Sequence, residues 1–188
     1  MREQRAFLRN LIDFLEKTGI PYMLAGSLGS SFHGRPRATN DADVVIAPTE
    51  SQLRLFLDSL GSDYYVSKDA ALAALSQEST FNVIDIMAQW KADLRVRRTR
   101  AFSEMEFSRR QRAVILDMDV WVVSAEDAIL SKLEWAKDSA SSQQLQDALG
   151  VLQIQDDRLD MDYLRKWAED LGVRDRLEAL LEKTRQDE

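Results

Sequence analysis

The chain has no cysteine, which excludes structural disulfides and thiolate metal sites. Its single histidine, His33, cannot form a zinc site without cysteines, and no Ser-His-Asp constellation is available. No Walker-type glycine-rich loop is present, which argues against P-loop ATPase chemistry. No apolar run approaches the roughly 18 residues that a membrane span requires. The opening MREQRAFLRNLIDFLEK is charged and amphipathic, without the uninterrupted apolar region of a secretory signal, so a cytoplasmic protein with no membrane partner is expected. Positive charge is also short: 25 basic against 32 acidic residues leave a net charge of −7, against the basic surface of a generic nucleic-acid coat. There is neither an internal repeat nor a low-complexity linker.

What remains is an ordinary globular composition, 45% hydrophobic and 30% charged over 188 residues, enough for one domain with a helical appendage. The informative stretch runs from Pro21 to Ile46, PYMLAGSLGSSFHGRPRATNDADVVI. Tyr22 to Ala25 is a short apolar run, broken by Gly26-Ser27, a pair that permits a sharp turn with Ser27 as N-cap of a following helix. The N–H groups opening that helix form an anion site, and Gly34 and Pro36 stop it after about two turns. In the strand that follows, alternation puts Asp41 and Asp43 on one face and Ala42, Val44 and Ile46 on the other. Two carboxylates so close repel, and either a proton or a cation must sit between them; hard oxygen ligands at this spacing suit Mg²⁺ or Mn²⁺. His33, on the short helix, reads as a packing or capping residue rather than a base.

Gly26-Ser27 followed by Asp41-x-Asp43 resembles the signature of the nucleotidyltransferase (polymerase-beta-like) superfamily. Within it, GSLGSSFHGRPRATNDADVVI is similar to the small bacterial members grouped with AbiE-type and MenT-type toxins. The resemblance implies an α+β fold, a mixed β-sheet flanked by helices and followed by a C-terminal helical bundle. Residues 1–123 would be the nucleotidyltransferase core and residues 124–188 a helical region packed on it.

Helical spacing predicts helices over Arg5–Lys17 and Glu50–Leu60, and Asp63 to Leu75 is ambiguous between strand and helix. TFNVIDIMAQW reads as a strand with Phe81, Val83, Asp85 and Met87 on one face, which sets Asp85 among apolar residues. Arg95 to Arg112 reads as an arginine-rich loop with an irregular strand at Glu104–Phe107. Ala113–Leu116 and Val120–Val123 form a hairpin in which Asp117 and Asp119 serve the turn. A capping box at Ser124-Ala125-Glu126-Asp127 opens a helix to Lys137, and further helices cover Ser142–Leu152, Met161–Leu171 and Arg174–Lys183. Lys132 lies at the margin of its helix's apolar stripe, and helical spacing alone makes Asp147 a solvated surface acid.

The resemblance adds roles. Asp41, Asp43 and a third aspartate on a neighbouring strand, for which Asp85 is the choice, would be catalytic and would hold Mg²⁺ or Mn²⁺. Gly26, Ser27, Arg37, Lys132 and Asp147 would bind nucleotide, Lys132 through its K-L-x-W setting and Asp147 as the acidic residue of the later helix. The implied reaction moves a nucleoside monophosphate from a nucleoside triphosphate to an acceptor hydroxyl, releasing pyrophosphate. The toxin-like members suggest tRNA as acceptor, with Arg95–Arg112 on the RNA face and an antitoxin as protein partner. The antibiotic-modifying branch suggests a small hydroxyl compound, and a protein hydroxyl is a third option. The rival class is a catalytically inactive nucleotide-binding or partner-binding protein of the same fold.

Overall fold

The structure, a computed structural model, describes residues 4–139 and 141–186. Along the chain they form α1 (Gln4–Lys17), β1 (Tyr22–Leu24), α2 (Gly26–His33), β2 (Asp41–Ile46), α3 (Glu50–Ser59), β3 (Tyr64–Tyr65), α4 (Lys68–Gln77) and β4 (Thr80–Asp85). There follow β5 (Lys91–Val96), α5 (Ala101–Ser108), β6 (Gln111–Ile115), β7 (Met118–Val122), α6 (Ala125–Ser139), α7 (Ser142–Gln155), α8 (Met161–Asp170) and α9 (Arg174–Gln186), with a 3-10 turn at Asp156–Arg158. The fold is α+β, as expected. The chain divides into two compact units: Met1–Ala25 with Thr39–Val122, and Gly26–Ala38 with Val123–Glu188. The short helix expected inside an N-terminal core therefore groups with the C-terminal helices.

The first unit holds the seven-stranded sheet, in the order β3-β4-β5-β2-β1-β7-β6. β2 pairs with β5, and β1 with β7, in parallel; the other neighbours are antiparallel. One face is apolar because alternate residues of each strand are: Ala42, Val44 and Ile46 on β2, Ala92, Leu94 and Val96 on β5, Phe81 and Val83 on β4, all buried. In α1, Phe7, Leu8, Leu11, Ile12 and Leu15 recur at helical spacing and are buried, as are Leu53, Phe56 and Leu57 of α3. Each such side chain contributes about 1.5–3 kcal/mol. α3 starts at a capping box, Thr49 accepting from the N–H of Gln52 at 3.3 Å while the Gln52 side chain accepts from the Thr49 N–H at 2.9 Å.

Two expectations for this unit change. KADLRV, residues 91–96, is a strand, β5, so Arg95 and Val96 end a strand rather than open a loop. Residues 104–107 belong to a helix, α5, which buries Phe102 and Phe107. The β6–β7 turn falls at Leu116 and Asp117, both with positive φ, and Asp117 is paired with Arg5 at 2.9 Å.

The second unit is helical. α2 and α7 pack so closely that a Cβ on Gly34 would lie 2.7 Å from the Val151 nitrogen. The exit of α2 is fastened on both sides: Gln155 Nε2 donates to the His33 carbonyl at 2.6 Å, and His33 Nε2 donates to the Val123 carbonyl at 2.6 Å. At the start of α6, buried Asp127 accepts from the hydroxyls of Ser124 and Tyr163, each at 2.6 Å, tying α6 to α8. Ile129, Leu130, Leu133, Ala148, Val151, Leu152, Leu164 and Leu177 supply the apolar core. Among the described residues no helix is long and apolar enough to cross a membrane.

Candidate active site

In the first unit, strand pairing aligns an acidic face. Asp43 of β2 lies opposite Asp93 of β5, and Asp93 lies opposite Asn82 of β4; one step along, Asp41, Lys91 and Ile84 form the parallel row. Residues paired across strands share a face, so Asp41, Asp43 and Asp93 project together, on the side opposite Ala42, Val44 and Leu94. Lys91 Nζ stands 3.4 Å from Asp41 Oδ2 and 3.1 Å from Asp93 Oδ1. The Asn82 amide also donates to Asp93. The hydrogen bond to Asp93 is the largest of the influences that hold the Lys91 ammonium above its usual range, outweighing partial burial, with Asp41 adding to it. Two residues beyond Asp93 on the same face, burial pushes the Arg95 guanidinium down while the charges of Asp43 and then Glu106 oppose that shift. Thr39 Oγ donates to the Asp41 carbonyl at 3.1 Å, fixing the entry to β2.

Asp85, the sequence-predicted third carboxylate, is not brought to the other two. Asn82 and Ile84 share the face of Asp93, so Asp85 points to the opposite one with Phe81 and Val83, and it is fully buried. Its Oδ1 accepts the N–H groups of Met87 at 3.0 Å and Ala88 at 2.9 Å, closing the connection between β4 and β5. It is the anchor of a turn. The carboxylate that sequence reasoning missed is Asp93, and the signal was the charged–apolar alternation of Lys91-Ala92-Asp93-Leu94-Arg95-Val96.

The second unit gathers four of the predicted nucleotide-binding residues. Gly26 turns the chain with φ +53° directly into α2, so Ser27 lies in the first helical turn rather than capping it. Arg37 donates to the Ser27 hydroxyl, and its Nε and Nη2 grip Asp147 Oδ1 at 3.0 Å and Oδ2 at 3.3 Å. Lys132 Nζ donates to Asp147 Oδ2 at 2.8 Å, and Gln143 Nε2 to Oδ1 at 2.9 Å. Asp147 is therefore no solvated acid: its side chain is 5% exposed and Lys132's is 6%. Burial pushes the Asp147 carboxyl up, but the hydrogen bonds from Lys132, Arg37 and Gln143 together hold it below the usual carboxylate range. Arg35 packs its Cβ and Cγ beside Gly150 of α7, and burial lowers His33, in keeping with a packing role.

Among the described residues no three carboxylates or imidazoles converge at metal-ligating distance. The donor chemistry nonetheless fits a hard divalent ion: three carboxylates share one sheet face, and a cation, the Lys91 ammonium, already joins oxygens of two of them.

The sequence matches no family model and no curated protein. Solved structures do match. An antigenic nucleotidyltransferase-like protein from Paracoccidioides brasiliensis is 15% identical, covering 95% of this chain and 91% of its own, with a TM-score of 0.58. ANT(2'')-Ia, in complex with adenylyl-2''-tobramycin, is 11% identical over 91% of this chain and 98% of its own, with a TM-score of 0.57. The lincosamide antibiotic adenylyltransferase LnuA, lincomycin-bound, is 13% identical over 82% of this chain and 98% of its own, with a TM-score of 0.54. At these identities the likeness is one of fold. The chain has the fold of the nucleotidyltransferases.

Proposed function

We propose that this protein is a metal-dependent nucleotidyltransferase that moves a nucleoside monophosphate from a nucleoside triphosphate to a hydroxyl of a small acceptor, releasing pyrophosphate. The observation that carries the reading is the shared face of Asp41, Asp43 and Asp93 on adjacent strands, the carboxylate set that the resemblance requires. Asp93 takes the part first given to Asp85. These three residues would hold Mg²⁺ or Mn²⁺, which when bound neutralises phosphate charge and polarises the α-phosphoryl group. The acceptor hydroxyl attacks the α-phosphorus and gives its proton to Asp93. Pyrophosphate is the leaving group; on the helical unit, Ser27, Arg37, Lys132 and the first N–H groups of α2 are the phosphate-binding groups that the resemblance implies. Asp147 keeps the two cationic side chains at a fixed spacing.

A small acceptor is favoured over tRNA by what the arginines of residues 95–112 do. Arg110 lies over the rings of Phe107 and Trp121 at 4.3 and 4.9 Å, Arg112 over Trp121 at 5.3 Å, and Arg100 over Phe102 at 5.6 Å. Arg97 also faces Glu104 at 3.9 Å. Each of these four arginines thus meets an aromatic ring or a carboxylate within the unit. The antibiotics in the ANT(2'')-Ia and LnuA structures support the same class of acceptor. A tRNA-modifying toxin, held in check by an antitoxin, is the reading that a labelled RNA product would restore.

The test is pyrophosphate release from each nucleoside triphosphate with Mg²⁺ or Mn²⁺. Tobramycin, lincomycin, a metabolite extract, total RNA and a protein extract are offered separately as acceptors. Metal-dependent turnover with a small hydroxyl compound, lost in Asp43→Ala, is expected. If wild type gives no turnover and Asp43→Ala binds metal and nucleotide equally well, the chain is instead an inactive protein of this fold.

A further inference from the structure

The acidic face carries its own cation. Lys91 sits in register with Asp41 on the neighbouring strand, and its ammonium reaches Asp41 Oδ2 at 3.4 Å and Asp93 Oδ1 at 3.1 Å. We propose that Lys91 is a resident counter-ion that a divalent cation must displace from Asp41 and Asp93, so that this one side chain sets how much metal the site needs. The inference rests on the metal reading above and goes beyond it. Three carboxylates on two adjacent strands repel one another, and Lys91 makes the metal-free face tolerable. An ammonium and a divalent ion cannot share the same oxygens, because they repel in turn. The lysine can leave: its side chain is 39% exposed, and a flexible four-carbon stem lets the charge swing into water.

Direct Mn²⁺ titration without nucleotide, by calorimetry or by the electron spin resonance of free Mn²⁺, tests the exchange. Wild type is compared with Lys91→Met, which keeps the stem and loses the charge, and with Lys91→Gln as a second neutral variant. Lys91→Arg keeps the charge. The neutral variants are expected to bind Mn²⁺ roughly threefold to tenfold more tightly, a range that allows for solvent screening of a part-exposed pair. Their melting temperature should drop without metal and recover with it, and adding Asp93→Asn should remove the gained affinity. Lys91→Arg should stay within about twofold of wild type. Neutral variants that bind Mn²⁺ no more tightly than a wild type that does bind it overturn the role of Lys91 and leave the metal reading standing. If folded wild type and both neutral variants all fail to bind Mn²⁺, the metal reading falls and the exchange with it.

Discussion

Asp85 and Asp93 lie on paired strands eight positions apart, and their side chains leave the sheet in opposite directions. That difference predicts separable phenotypes. Asp93→Asn should lower nucleotidyl transfer by roughly 10²–10³ while leaving the urea midpoint near wild type. Asp85→Ala removes the acceptor of two turn N–H groups, and should cost about 1–3 kcal/mol of stability in urea unfolding with turnover per folded molecule retained. Asp147 gives a pH signature. Its carboxyl is held below the unfolded value of 3.8, so the stability it contributes is complete above that pH and is lost as pH falls through the lower folded value. The unfolding free energy of wild type relative to Asp147→Asn, measured from about pH 6 to pH 2.5, should therefore shrink below about pH 4. Part of the cation expected between the neighbouring carboxylates is the protein's own, because Lys91 and Arg95 supply positive charge from the same strand face.

At the scale of elements, the tightest constraint is the approach of α2 to α7. Gly34→Ala would place a methyl 2.7 Å from the Val151 nitrogen and 2.8 Å from the Gly150 carbonyl carbon, both backbone atoms that cannot rotate away. We expect a loss of about 1–3 kcal/mol in urea unfolding. Weakened nucleotide binding should accompany it, because α2 carries Ser27 and α7 carries Asp147. Most of these elements were legible in the sequence. Apolar residues at helical spacing gave α1, α3 and α6–α9, and the Gly-Ser break and the Asp41–Ile46 alternation gave β1, α2 and β2. β5 was not, because three of its six residues are charged and depress strand propensity, while the apolar Ile86 and Met87 of the preceding turn extend the run of β4. Losing β5 hid Asp93 and made Asp85 the nearest substitute. The pairing of Arg37 and Lys132 with Asp147 was equally hidden, because only tertiary packing buries Lys132 and Asp147 and brings the part-exposed Arg37 onto them.

For the molecule as a whole, a net charge of −7 bears on what it can take as acceptor. A small acceptor predicts weak salt dependence: with metal saturating, raising NaCl from about 50 to 200 mM should change kcat/KM for the acceptor by less than about threefold, whereas 6–10 phosphate contacts would lose roughly 10³–10⁵ in affinity. A further consequence comes from the helical unit, which is assembled from residues 26–38 and 123–188. During synthesis α2 leaves the ribosome before residues 39–122 have been made, and at about 5–20 residues per second it waits several seconds for α6 and α7. In that interval the eight-residue helix lacks α6 and α7, its partners within the unit. The cluster of Ser27, Arg37, Lys132 and Asp147 thus forms late in the nascent chain, and a polypeptide cut short before Asp147 cannot acquire it.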